Sequence, residues 1–161
     1  MAWLTRFRAE DDAEPHWVWF FLTLNYRLND GSTLHIEQQA AWCEQCRRFG
    51  SAELVSSIDE LRDWLEELQN PTQSIHFALP SADAIQGAID EVQVRLRWFQ
   101  TRKSPARCLT CGSTAITPIR FGEDGTCVVN GKRLIALEQG FADSQNWIAE
   151  YSSEGIAISK G

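Results

Sequence analysis

Two cysteine pairs, each with two residues between its members, are the side chains best placed by spacing to do chemistry: Cys43-Glu44-Gln45-Cys46 and Cys108-Leu109-Thr110-Cys111. A two-residue spacer lets a tight turn aim both sulfurs at one point while backbone amides face them. Four thiolates brought together in this way suit one structural zinc ion, which has no geometric preference of its own and accepts the resulting tetrahedron. Gly112 follows the second pair, where such a turn leaves through a left-handed residue. Arg47 holds the equivalent place after the first pair and suits it less well. Arg47, Arg48, Lys103 and Arg107 flank the pairs and either offset the negative charge of a four-thiolate centre or simply coat a surface.

The arrangement resembles the zinc-ribbon family, in which two cysteine knuckles on two β-hairpins share one ion. The resemblance covers about residues 38–50 and 104–122 and implies that Cys43, Cys46, Cys108 and Cys111 are the ligands of a structural Zn2+. It departs from the family in one respect: 61 residues, 47 to 107, separate the pairs, where a ribbon has about 15–20. Tripling a flexible loop costs only about 1 kcal/mol in closure entropy, against roughly 10–16 kcal/mol for a structural zinc site. The insert therefore does not prevent the site. The same cysteines also fit an iron–sulfur cluster, which uses the same ligand set, or separate redox pairs. A thioredoxin-like pair opens a helix after a strand. Here Gly112-Ser113-Thr114 and β-like sequence follow, which speaks against redox.

Other reactive groups do not assemble into a site on the sequence. Cys127 lies in the apolar run Thr126 to Val129 and reads as a small buried hydrophobe. His16, His35 and His76 are scattered, with no ligand spacing between them, and His35 falls on a polar strand face. Asp59, Glu60, Asp63, Glu66 and Glu67 read as a solvated helix face. No phosphate-binding glycine loop, nucleophile elbow or metalloprotease helix motif is present, and a closed four-cysteine centre has no open position at which to activate water. The catalytic set is therefore expected to be empty.

The elements that must hold the knuckles can be read from periodicity. His16 to Leu28 reads as one long strand whose even positions, Val18 to Leu28, form an apolar face. A three-residue loop at Asn29-Asp30-Gly31, with Gly31 left-handed, would pair Tyr26 with Leu34 and Leu24 with Ile36. Continued, this register sets Phe20 opposite Ala40 and Val18 opposite Trp42, and delivers Cys43 at the far end. Trp17, Trp19 and Phe21 lie on the opposite face, where a second layer is expected to cover them; an exposed interaction patch is the alternative.

Ser57 and Glu60 form a capping box for a helix carrying Ile58, Leu61, Leu65 and Leu68, stopped by Asn70-Pro71. A short extended piece, Ser74 to Leu79, leads to a second helix from Pro80-Ser81 to near Lys103, with its stripe at Ile85, Ala88, Ile89, Val92, Leu96 and Phe99. After Cys108 the sequence reads as short strands: Thr114 to Phe121, Thr126 to Asn130, Lys132 to Glu138, Gln145 to Tyr151 and Gly155 to Ser159. Residues 1–15 read as a polar lead-in.

These readings predict an α+β fold over one domain, residues 1–161: antiparallel hairpins sharing a four-cysteine zinc site, with two helices inserted at about 56–103. A net charge of −7 disfavours a nucleic-acid binder that depends on neutralising phosphates. The N-terminal residues lack a secretion signal, and the apolar stretch Trp17 to Leu24 is too short for a membrane span. A reducing, cytoplasmic setting is therefore expected. The expected role is a non-enzymatic, zinc-stapled interaction or regulatory module that binds another protein. The alternatives are a nucleic-acid-binding ribbon using Arg47, Arg48 and Arg95 to Arg107, with Trp98 as a stacking residue, and a thiol-redox protein.

Overall fold

In the computed structural model the described residues are 2–20, 23–72, 75, 78–79, 81–142, 148–152 and 154–160. The first element is a correction to the polar lead-in. Ala2–Ala9 forms β1, an inner strand of a four-stranded sheet. Phe7 and Ala9 are buried and alternate with Arg6 and Arg8, a period-two signal that two arginines obscure. β1 pairs with β2 (His16–Trp19) on one side and with β9 (Lys132–Ala142) on the other. β8 (Thr126–Val129) completes the order β2-β1-β9-β8. The β8–β9 hairpin turns on Asn130-Gly131, whose φ values of +51° and +74° suit the right-handed twist of a two-residue hairpin loop.

The long strand expected at residues 16–28 is in fact two strands. β2 belongs to the first sheet. β3 (Thr23–Arg27) lies in a second sheet of order β11-β10-β3-β4, with β4 at Thr33–His35, β10 at Ile148–Ser152 and β11 at Ala157–Lys160. The β3–β4 loop has the expected register: Tyr26 opposes Leu34, the Ile36 N–H donates to the Leu24 carbonyl at 2.8 Å, and Gly31 is left-handed at φ +83°. The register does not continue beyond it. Val18 faces Thr5 of β1, while Ala40 and Trp42 face Ser51 and Phe49. One apolar strand face can be buried against only one layer. Dividing the run lets Val18 and Phe20 fill one core and Leu24 and Tyr26 another.

The third sheet has order β6-β5-β7, from Glu37–Cys43 (β5), Arg48–Leu54 (β6) and Ile116–Pro118 (β7). Pro118, which lacks a backbone donor, is tolerated because β7 is an edge strand. The first core lies between this sheet and the first one and is built on Phe7, Val18, Phe20, Ala40, Ile119 and Leu134. Among the described residues strand pairing is antiparallel except between β3 and β10, which run parallel.

The long helices among the described residues between the cysteine pairs are α1 (Ile58–Gln69) and α2 (Ala82–Thr101). The capping box is formed, with Ser57 Oγ accepting from the Glu60 N–H at 3.1 Å and Glu60 Oε2 from the Ser57 N–H at 2.7 Å. Leu61, Leu68, Ile75 and Val92 form a core of their own between the helices. Between them, the Leu79 N–H donates to the Ile75 carbonyl at 2.7 Å. That is a helical i to i−4 bond where an extended piece was expected. His76 lies outside the described residues. The acids of α1 are solvated as expected.

One aromatic expectation is overturned, and one alternative loses its stacking residue. Trp17 and Trp19 are each 44% exposed, so the described layers leave them partly open; Phe21 lies outside the described residues. Trp98 is only 5% exposed and packs edge-on against Tyr26 in the second core, so it is not available to stack on a base. No helix among the described residues is long and apolar enough to cross a membrane.

Candidate metal centre

The first knuckle is the turn of the β5–β6 hairpin, whose last pair is Cys43 with Arg48. The second reaches the same end of the sheet by another route. Before it, the chain runs along the outer edge of β6: the Glu53 N–H donates to the Arg107 carbonyl and the Leu109 N–H to the Ser51 carbonyl, both at 3.0 Å. After it, β7 pairs with β5 and sets Ile116 opposite Cys43. The second knuckle therefore arches over the end of the sheet from one edge to the other. Backbone bonds from both sides fix it beside the first.

Each knuckle is closed by its own backbone. The Cys46 N–H donates to Cys43 Sγ at 3.5 Å. In the second, the Gly112 N–H donates to the Cys108 carbonyl at 2.8 Å and the Cys108 N–H to the Ser113 carbonyl at 2.9 Å. Arg47 and Gly112 leave their turns left-handed, at φ +52° and +75°.

All four sulfurs lie within 4.8 Å of one another, so Cys43, Cys46, Cys108 and Cys111 form a group that could hold one metal ion. Cys43 Sγ is 3.6 Å from Cys111 Sγ, and Cys46 Sγ is 4.0 Å from Cys108 Sγ. A tetrahedron with metal–sulfur bonds near 2.3 Å has edges of about 3.8 Å, and the two separations bracket it. Cys43 and Cys108 are buried, Cys46 is half-buried and Cys111 is exposed. Burial pushes the Cys46 thiol up to about 12 and raises Cys43 as well, while the Ser113 backbone N–H draws Cys111 down to about 7. Left to themselves the Cys43 and Cys46 thiols resist ionisation. A divalent cation at the centre of the four sulfurs removes that resistance, so the donor set fits a metal.

Behind the second knuckle lies a charged cluster that the sequence reading missed. Glu53 is fully buried, and its Oε2 accepts from Arg102 Nη2 and, at 3.0 Å, from the Arg107 backbone N–H. The Arg102 side chain is 2% exposed and lies over Trp98, 4.9 Å from the ring centre. Arg107 Nη1 donates to the Gly112 carbonyl at 2.8 Å, which links the cluster to the knuckle turn. Burial pushes the Glu53 carboxyl up, and the Arg102 guanidinium pulls it back. Gly155 closes the cluster: a Cβ there would sit 2.3 Å from Glu53 Oε1. Arg102 and Arg107 are thus structural cations rather than a surface coat. Arg95 is likewise engaged, its Nη2 donating to Glu91 at 2.6 Å. The only sequence hint of the cluster is an acid between Ala52 and Leu54 in a β-like run.

Cys127 stands apart from the centre and packs against the first core; its burial raises its thiol, as suits a small hydrophobe. His35 is exposed, and His16 bonds Asp12 rather than a cysteine. No protein-family model, no curated protein and no solved structure matches the chain.

Proposed function

We propose that the chain is a zinc-ribbon-like, non-enzymatic module that binds another protein, with a structural Zn2+ held by Cys43, Cys46, Cys108 and Cys111. The observation that carries the reading is the outer face of the first sheet. Trp17 and Trp19 lie on its edge strand β2, both 44% exposed, opposite Arg6 and Leu4 of β1. The Arg6 guanidinium lies 4.7 Å from the centre of the Trp17 ring, and Arg8 follows on the same face of β1. Val128 and Arg133, opposite each other, extend this face across β8 and β9. Exposed tryptophans beside arginines are the anchors that dominate protein interfaces. They suit a partner presenting apolar side chains and carboxylates.

The metal's part in this reading is mechanical. Four thiolates close its coordination sphere and leave no position for a substrate or an activated water. Its binding free energy instead holds two distant stretches of chain at one end of the third sheet.

The test is capture of a partner by the metal-loaded protein, compared with the double variant Trp17→Ser/Trp19→Ser. The reading expects the partner to be lost while metal content stays the same. Binding that disappears only when the metal is stripped, and that no surface variant disturbs, would count against it.

A further inference from the structure

A pocket of about 320 Å³ lies beside the first knuckle, between the β5–β6 hairpin, the β1–β2 connection and the β8–β9 turn. Its walls are apolar: Trp42, Phe49 and Val129 line it. Trp42 and Phe49 meet edge to face with ring centres 5.0 Å apart, and the His16 ring lies 4.7 Å from Phe49, so the aromatic wall is preassembled. The other lining residues are polar: Arg47, Lys132, His16, Asn130 and Asp12. Lys132 and Arg47 both line the pocket, with Asp12 the single acid among its lining residues. Asp12 is already committed, accepting from His16 at 2.7 Å and from Lys132 at 3.3 Å. Two permanent cations against one acid leave the lining net positive. Glu44, outside the lining, is held by Asn130 Nδ2 at 3.0 Å.

Arg47 adds an independent observation. It has a left-handed backbone at φ +52°, where the other knuckle uses glycine. A side chain there costs about 1–2 kcal/mol, yet the position carries arginine, and that arginine lines the pocket. Strained non-glycine positions cluster where a side chain is needed for binding.

We propose that this pocket binds a small monoanionic carboxylate with a flat aromatic or branched apolar body. The body lies against Trp42 and Phe49, and the carboxylate meets Arg47 and Lys132. The excess of cations over acid suits an anion, and Asp12 in the same lining repels a second negative charge, which favours a monoanion over a phosphate dianion. The volume, at the low end for ligand pockets, fits one such group. A free organic acid and the carboxyl end of a peptide ending in an aromatic residue share this chemistry. The proposal stands apart from the docking reading of the first sheet, since neither surface is needed for the other.

The test is a titration of the isotopically labelled, zinc-loaded full chain with phenylacetate, followed by NMR. The proposal expects saturable shifts at the Trp42 indole and at the amides of Phe49, Val129 and Asn130. Phenylacetamide, lacking the charge, should bind about tenfold more weakly, and Arg47→Gln and Lys132→Gln should each weaken phenylacetate by a similar factor. N-acetylglycyl-phenylalanine binding more tightly than phenylacetate identifies the peptide end as the source; weaker binding identifies the free acid. No saturable shift at these residues, equal binding of the amide, no effect of either variant, or inorganic phosphate binding there as tightly as phenylacetate would each overturn it.

Discussion

Arg47 and Gly112 occupy the same place, one residue beyond the second cysteine of their pairs, and both are left-handed, at φ +52° and +75°. The two knuckles thus share a backbone path although one exits through a residue with a Cβ. That asymmetry makes the two positions opposite in mutational sign. Arg47→Gly is expected to stabilise the metal-loaded protein by about 0.5–1 kcal/mol, the strain relieved less the added freedom of the unfolded chain. Gly112→Ala should destabilise it by about 1–2 kcal/mol. Thermal melts of the two variants check the pair of signs.

The sulfur cluster should appear in a count of reactive groups. The purified protein is expected to hold one equivalent of zinc by elemental mass spectrometry, with Cys43, Cys46, Cys108 and Cys111 reacting with thiol reagents only after chelation. Cys43→Ser or Cys108→Ser should lose the metal, and Cys127→Ser should keep it. Full metal content in Cys108→Ser would remove the four-ligand centre.

Glu53 and Arg102 test how the second knuckle is braced. Glu53→Gln leaves a buried guanidinium uncompensated and is expected to cost about 3–5 kcal/mol in urea unfolding. The double change Glu53→Gln/Arg102→Met should cost clearly less than the sum of the single changes, because it removes both charges together. Gly155→Ala drives a methyl against Glu53 Oε1 and should destabilise the protein as well.

Acid should loosen the start of α1. The backbone and side-chain hydrogen bonds of Ser57 hold the Glu60 carboxyl below the usual carboxylate range. A group whose folded-state value is depressed adds stability above its unfolded value and loses it as pH falls through the folded one. Amide exchange at the first turn of α1 should therefore quicken as pH drops from about 5 to about 3, after correction for intrinsic rates. Glu60→Gln should flatten that dependence. An unchanged dependence in the variant would assign it to another group.

The local features were legible in the sequence because each is decided within a few residues. The capping box needs only Ser57 and Glu60, the β3–β4 register follows from Gly31 and the apolar positions around it, and the Asn130-Gly131 turn is set by two residues. The clustering of the four knuckle cysteines was legible for the same reason, since two-residue spacing and residue type carry the signal. The strand run at residues 16–28 misled because periodicity shows that a face is apolar but not which layer buries it. β1 was missed because Arg6 and Arg8 lower the apparent hydrophobicity of a strand whose other face is core. Trp98 looked free because it lies off the apolar stripe of α2, yet that side of the helix meets the second sheet.

The sequence by itself determined the four sulfurs, the turns that aim each pair, and the two helices between them, all through interactions a few residues long. Only the tertiary structure decided that β6 and β5 fasten the second knuckle from both sides, that Glu53 meets Arg102, and that Trp17 and Trp19 stay partly open. Those outcomes depend on which distant surfaces exclude water together. That is a property of the whole packed chain, and no spacing within one segment encodes it.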